Sequence, residues 1–309
     1  MYFCTMSCHL CPRHCAVDRR LQPGFCQSPE EPEVASICRH TGEEPPLSGR
    51  RGICNVFFAR CNLQCIYCQN HAISGGRVAD SHIFYRTVPA IVDRIAEVLE
   101  TTENMVGFVS PSHYAHLIPV LVEEMHRRGL HPAVVYNTGG YDNVETLRRL
   151  APYIDIYLPD FKYSDAALAA QLSHAADYPE RAAEAITEMY RQKGSSLHVD
   201  DDGMAFGGII VRHLVLPGAV DNSLRCLEWL AGHLSTRIHI SLMAQYYPPD
   251  QLLQSTACPP GSPLRRTLTE DEYRRVTDRL HALGFCNGWV QELSAASVYR
   301  PDFSHQNAF

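Results

Sequence analysis

From Ile53 onward, short apolar runs alternate with longer segments in which apolar residues recur every three or four positions. Short runs rich in β-branched and aromatic residues and bounded by turn formers read as buried strands, and the longer period reads as amphipathic helix. The pattern predicts strands at 53–59, 105–110, 132–137, 154–159, 208–216 and 238–243. It predicts helices at 87–102, 114–129, 142–151, 179–194, 221–235 and 268–284. Such alternation is the signature of βαβ units and a parallel sheet, so the fold class is α/β.

Two stretches interrupt the pattern. Residues 195–207, with Asp200, Asp201, Asp202 and Gly203, are polar and turn-forming and predict a hairpin or surface insertion. The Asp run resembles a calcium loop only weakly, because it lacks the spaced ligands and the closing Glu. Pro248 to Pro263 reads as a Pro-rich loop. Residues 1–50 differ again, being rich in Cys and Pro without a regular period. Such a segment builds no core alone, and metal ligation would supply the missing folding energy. The expected division is a Cys-rich metal-binding segment at 1–50 and a core at 51–309 with a C-terminal extension.

A chain of 309 residues accommodates one α/β barrel or two smaller domains. The formal charge of -7 provides no basic footprint, which disfavours a nucleic-acid partner. Thirteen cysteines would suit a small disulfide-rich secreted protein, but the chain is too long for that class. Its first residues also lack the basic and apolar regions of a secretory signal. No run approaches the roughly 18 apolar residues of a membrane span. The expected setting is a reducing cytoplasm, with the cysteines as metal ligands or free thiols.

Candidate chemistry begins just past the first predicted core strand, where Cys61, Cys65 and Cys68 form a C-x3-C-x2-C run. Iron–sulfur clusters are normally closed by four thiolates. A run of three leaves one iron free, and an open position on a metal points to chemistry. The competing readings are three thiols of a structural zinc site, or chance in a Cys-rich chain. A loop at the C-terminal end of a strand is also where parallel α/β folds place active sites.

With Tyr67 just before the last cysteine, this run resembles the radical S-adenosylmethionine (radical SAM) superfamily. The resemblance implies a 4Fe–4S cluster whose free iron binds S-adenosylmethionine. It also implies reductive cleavage to a 5'-deoxyadenosyl radical that abstracts hydrogen. The six strand–helix repeats match the partial (β/α)6 TIM-type barrel expected of that superfamily.

A second sulfur group, Cys8-x2-Cys11-x3-Cys15-x10-Cys26, lies in the head, with Cys4 as a spare thiol. Structural zinc and an auxiliary iron–sulfur cluster both suit it. Cys38 and Cys54 have no partner at motif spacing, and the isolated Cys226, Cys258 and Cys286 read as small buried hydrophobes.

The head, together with Gly42-Glu43-Glu44-Pro45-Pro46 and Cys68-Gln69-Asn70, resembles the pyruvate formate-lyase activating enzyme-related proteins of the PflX type. Val135 to Tyr141, Asp155 to Tyr163, Arg212 to Gly218 and Leu242 to Tyr246 extend the likeness over nearly the whole chain. It implies a flavodoxin or ferredoxin-type reductant. The implied substrate is a glycyl radical protein, or else a small metabolite or peptide side chain. It places Tyr67, Asn137, Thr138, Asp160, Lys162, Arg212 and Gln245 toward the cofactor or the radical path. Two positions depart from the family pattern. The glycine- and glutamate-containing motif after the second core strand is replaced by Val109-Ser110-Pro111-Ser112-His113-Tyr114, leaving a hydroxyl such as that of Ser112, a carbonyl or His113 for the methionine ammonium. Asn137 stands where an Asp is expected. Tyr136, Tyr141, Tyr246 and Tyr247 read equally as cavity lining or as packing.

Overall fold

The computed structural model describes residues 7–256, 258–297 and 300–309, so Cys4 lies outside the described residues. Its strands are β1 (Val34–His40), β2 (Ile53–Phe58), β3 (Met105–Val109), β4 (Ala133–Thr138), β5 (Ile156–Pro159), β6 (His198–Val199), β7 (Ala205–Leu214), β8 (His239–Met243) and β9 (Gly288–Val290). All six predicted strands are present, within a few residues of the expected bounds. The longer helices are α1 (Val88–Leu99), α2 (Ile118–Arg127), α3 (Val144–Leu150), α4 (Ala166–Ser173), α5 (Tyr178–Lys193), α6 (Val220–His233) and α7 (Glu270–Ala282). Of these only α4 falls outside the predicted set.

The sheet runs in the order β1-β2-β3-β4-β5-β7-β8-β9. Every pairing from β2 to β9 along this path is parallel, and β1 lies antiparallel on β2. Among the described strands β1 and β9 end the path unjoined, so the sheet is open and the fold is mixed α/β with a parallel sheet. β6 pairs with β7 as the expected hairpin. Its turn is closed by the Asp200 carboxylate, which accepts from the backbone N–H groups of Asp202 (3.0 Å) and Met204 (2.9 Å). The Asp run thus does turn chemistry.

Strand parity sorts the two faces. Cys54, Val56 and Phe58 of β2, Val106 and Phe108 of β3, Val134 and Tyr136 of β4, and Ile240 and Leu242 of β8 share one apolar core with Ile91 and Ile95 of α1 and Leu121 and Met125 of α2. The alternate residues, Phe57 of β2, Asn137 of β4, Arg212 of β7 and Ser241 of β8, line a cavity on the other face. With both faces covered, β2 and β3 are buried along their full length, which is why they read as unbroken apolar runs.

β1 lies in the stretch read as aperiodic. Its Ser36 is buried because the hydroxyl donates to the Gln306 carbonyl (2.6 Å), a contact 270 positions away that local pattern cannot announce. β9 has three residues and is equally silent in sequence.

Three buried histidines set the acid response. Burial pushes His113 and His116 down to about 3 and His213 down to about 4. Each stays neutral in the folded chain while the unfolded chain protonates near the ordinary histidine value of about 6.5. Lowered folded values mean fewer protons bound when folded, so this contribution is complete above that value and declines as pH falls below it. Stability is expected to drop by about 1.4 kcal/mol per pH unit per histidine between pH 6 and pH 5. Urea midpoints at those two pH values check it, and equal midpoints contradict it.

Candidate active site

The cavity, of about 410 Å³, opens at the C-terminal ends of the parallel strands and falls within the size range of small-ligand sites. Cys61, Cys65, Tyr67 and Cys68 enter it from the loop after β2, Asn137 and Thr138 from the end of β4, Asp160 and Lys162 from just past β5, and Arg212 and Gln245 from β7 and the end of β8. Residues spread over 185 positions of sequence are thereby collected by one sheet edge.

The loop is tightly built. Arg60 and Gln64 hold positive φ (69° and 52°), a conformation uncommon for non-glycine residues, and they turn the chain around the thiols. The Leu63 N–H points at Cys61 Sγ (3.4 Å), and the Ser173 hydroxyl donates to Cys65 Sγ (2.9 Å). Burial raises the Cys61 thiol to about 12, with the neighbouring Cys65 and Cys68 adding to it, and burial raises Cys68 as well. Metal ligation requires the thiolate, so a bound cation would draw the protons from Cys61 and Cys68. Lys162 contributes a cation to this wall. Burial works against its charge, but Asp160 beside it, with Cys65 and Cys68, holds the ammonium above the ordinary lysine value.

Gly140 lets β4 approach β5. Its φ is +79°, and a Cβ there would lie 2.2 Å from the Asp160 carbonyl oxygen. Thr138 lies beneath the cavity floor's hydroxyl network: its Oγ1 donates to the buried Asp142 carboxylate and lies 3.0 Å from the Ser112 hydroxyl.

Ser112 and His113 sit elsewhere than expected. The turn Ser112–Leu117 carries them behind the cavity wall, where a His113 ring nitrogen lies 2.8 Å from the Ala59 carbonyl oxygen. The residue of that segment that does reach the cavity is Ser110, held at φ 53°. Tyr136, Tyr141 and Tyr246 are core residues, each at most 2% exposed. Tyr247 stacks beside the Arg300 guanidinium (4.7 Å).

Arg212 faces the cavity and is ion-paired there. It donates to Glu44 (2.8 and 2.6 Å) and to Glu43, and the Asn55 amide donates to Glu43 (2.7 Å). Glu43 and Glu44 are cavity residues that motif reading quoted without assigning a role. Because β1 is antiparallel, its last residue, His40, lies opposite Ile53 at the start of β2, and the loop that follows carries Glu43 and Glu44 into the cavity from the N-terminal side of the parallel strands. Gln291 was also missed: its amide donates to Gln245 Oε1 (2.9 Å), and Gln245 donates to Gln69 (3.0 Å), tying β9 and β8 to the residue after Cys68.

The head folds against the same loop. Backbone bonds from Cys8 N–H to the Val17 carbonyl (2.8 Å) and from Ala16 N–H to the Cys8 carbonyl (3.0 Å) fold the head back on itself, and the Phe25 N–H points at Cys15 Sγ (3.3 Å). Arg13 stacks on Phe25 (3.7 Å) and donates to the carbonyls of Asn62 (2.9 Å) and Ser173 (3.1 Å), one on each side of Cys65. All twelve described cysteines are free thiols; Cys226 and Cys258 are buried as expected, whereas Cys286 is exposed. Among the described residues no three His, Cys, Asp or Glu side chains are grouped tightly enough to hold one metal ion. No described helix is long and apolar enough to cross a membrane.

No family model matches the chain. Over 246 residues it is 27% identical to uncharacterized protein MJ0674 of Methanocaldococcus jannaschii, a match covering 78% of this chain and 66% of that protein. Its fold is similar to that of Streptococcus suis SuiB, solved bound to precursor peptide SuiA, with a TM-score of 0.50 and 12% identity over 77% of this chain and 48% of that one. It overlaps more loosely with a domain of pyruvate-formate lyase-activating enzyme from Bacteroides vulgatus, with a TM-score of 0.38 and 16% identity over 58% of this chain and 93% of that domain. The chain thus spans about half the length of the SuiB chain.

Proposed function

We propose that this chain is a radical SAM enzyme of the kind its motifs resemble, the pyruvate formate-lyase activating enzyme-related proteins of the PflX type. The observation that carries this reading is the convergence of Cys61, Cys65 and Cys68 on one cavity that also receives polar residues from four strand ends. These three thiols would hold a 4Fe–4S cluster that, when bound and reduced by a flavodoxin or ferredoxin-type protein, would supply the electron for reductive cleavage of S-adenosylmethionine and so the hydrogen-abstracting 5'-deoxyadenosyl radical. The open sheet serves as the partial (β/α)6 barrel of that chemistry.

The protein's own part is to bind, orient and exclude water. Cys61, Cys65 and Cys68 would supply the thiolates that hold the cluster. Lys162, paired with Asp160, offsets thiolate charge and stands ready to meet a carboxylate. With Ser112 and His113 turned away, Ser110 and Asn137 are the polar groups left on that wall for the methionine ammonium. Gln245, fixed by Gln69 and Gln291, closes the far side. Cys8, Cys11, Cys15 and Cys26 would hold a second metal, zinc or an auxiliary cluster, once binding drew their thiols together.

The substrate we propose is a peptide or protein chain, a glycyl radical protein first, in line with the peptide bound by the structurally similar SuiB. Anaerobic reconstitution with iron and sulfide, then dithionite and S-adenosylmethionine, is expected to yield 5'-deoxyadenosine. Deuterium should enter it from a glycine-deuterated polypeptide and not from deuterated small metabolites. Absence of S-adenosylmethionine cleavage overturns the class, and label arriving from a metabolite overturns the substrate.

A further inference from the structure

A line of buried hydroxyls ends on one of the three thiols. Tyr67 and Tyr163 hydroxyl oxygens are 2.6 Å apart, the Tyr163 hydroxyl is 2.6 Å from Ser173 Oγ, and Ser173 Oγ is 2.9 Å from Cys65 Sγ. Ser173 and Tyr163 are fully buried and Tyr67 is 5% exposed, so water does not compete along the line. Ser173 is held by its position at the end of α4, where His174 adopts φ 53° and the Arg13 guanidinium takes the Ser173 carbonyl.

The polarity of this line follows from ligation. A cysteine bound to iron is a thiolate with no proton, so at Cys65 the sulfur only accepts and Ser173 must donate. Ser173 then accepts from Tyr163, which accepts from Tyr67. Each hydroxyl polarises the next, and in an interior of low dielectric such chains strengthen cooperatively. Hydrogen bonds to ligating sulfur are one of the levers by which proteins set cluster potentials. They stabilise the reduced cluster more, because it carries the greater negative charge.

We propose that Ser173, backed by Tyr163 and Tyr67, is a positioning residue that raises the reduction potential of the cluster at Cys61, Cys65 and Cys68. This rests on the cluster assignment above. It makes Cys65 the ligand tuned through this line of hydroxyls.

The test is a redox titration of the anaerobically reconstituted full chain, following the reduced-cluster electron paramagnetic resonance signal that Cys61→Ala removes. Ser173→Ala is expected to shift the midpoint to more negative potential, Ser173→Thr to restore it toward wild type, and Tyr163→Phe to shift it in the Ala direction by less. A Ser173→Ala midpoint equal to that of wild type overturns the proposal. Should Ser173→Ala not assemble, Tyr163→Phe decides in the same way, with an unchanged midpoint counting against it. Failure of the underlying assignment looks different: wild type itself then shows no signal that depends on Cys61.

Discussion

Replacing Cys61 with Ala is expected to reduce 5'-deoxyadenosine formation to background and to remove the iron bound by the loop, while the chain stays folded. The thiol is one of the three proposed to hold the cluster, and among the described residues no other cysteine lines the cavity. Cys38 and Cys54 lie on β1 and β2 and are buried, with Cys54 committed to the main core. The head cysteines offer the matched comparison. Cys11→Ala should disturb the proposed second metal and loosen the contacts of Arg13 with Asn62 and Ser173, yet leave the three-thiol site intact. Iron counts, the cluster spectrum and deoxyadenosine yield, taken together for the two variants, show which sulfur group is catalytic. Deoxyadenosine at wild-type yield in Cys61→Ala contradicts the assignment.

Arg212→Leu is expected to destabilise the apo chain by about 3–5 kcal/mol at neutral pH, the range for removing one partner from a buried ion pair. The guanidinium is 13% exposed and faces Glu43 and Glu44 at 8% and 5%. Burial alone would raise the Glu43 carboxyl, but the charge of Arg212, with His40 beside it, holds it well below the usual carboxylate range. A depressed folded value gives a contribution that is full above the unfolded carboxylate value and lost as pH falls through the folded one. In the variant the sign reverses. Two buried carboxylates without their cation have raised values, so the variant recovers stability as pH falls, and its gap to wild type should be smaller at pH 5 than at pH 8. Adding Glu43→Gln and Glu44→Gln should recover much of the loss. Urea midpoints of apo protein measure all of this, and a gap that does not change with pH contradicts it.

Much of the frame was legible because it is local. The apolar runs of β2 and β3 are continuous because both faces of a parallel sheet are covered, and helices such as α1 and α7 carry clear amphipathic periods and Thr caps. The cysteine run, Asp160 with Lys162, and Gln245 follow strands directly, so their place at the strand ends could be read in advance. Ser112 and His113 also follow a strand. What moved them behind the wall is the turn Ser112–Leu117, whose direction depends on burying Tyr114 and Leu117 against the core. Glu43, Glu44 and Gln291 reach the cavity only because β1 and β9 dock on opposite edges of the sheet. Those strands are short or broken by polar residues, and the Ser36 contact that helps seat β1 comes from Gln306, 270 positions away.

By itself, the sequence determined the α/β alternation, the position of the sulfur triplet at the end of a buried strand, and the presence of a second sulfur group in a segment with no core of its own. These follow from periodicity and from ligand spacing, which are properties of neighbouring residues. Only the tertiary structure decided that Arg212 spends its charge on Glu43 and Glu44, that Arg13 clamps the head onto the loop, and that Ser173 donates to Cys65. Each of those contacts joins residues at least 49 positions apart, and their geometry exists only once the sheet has brought its strand ends together.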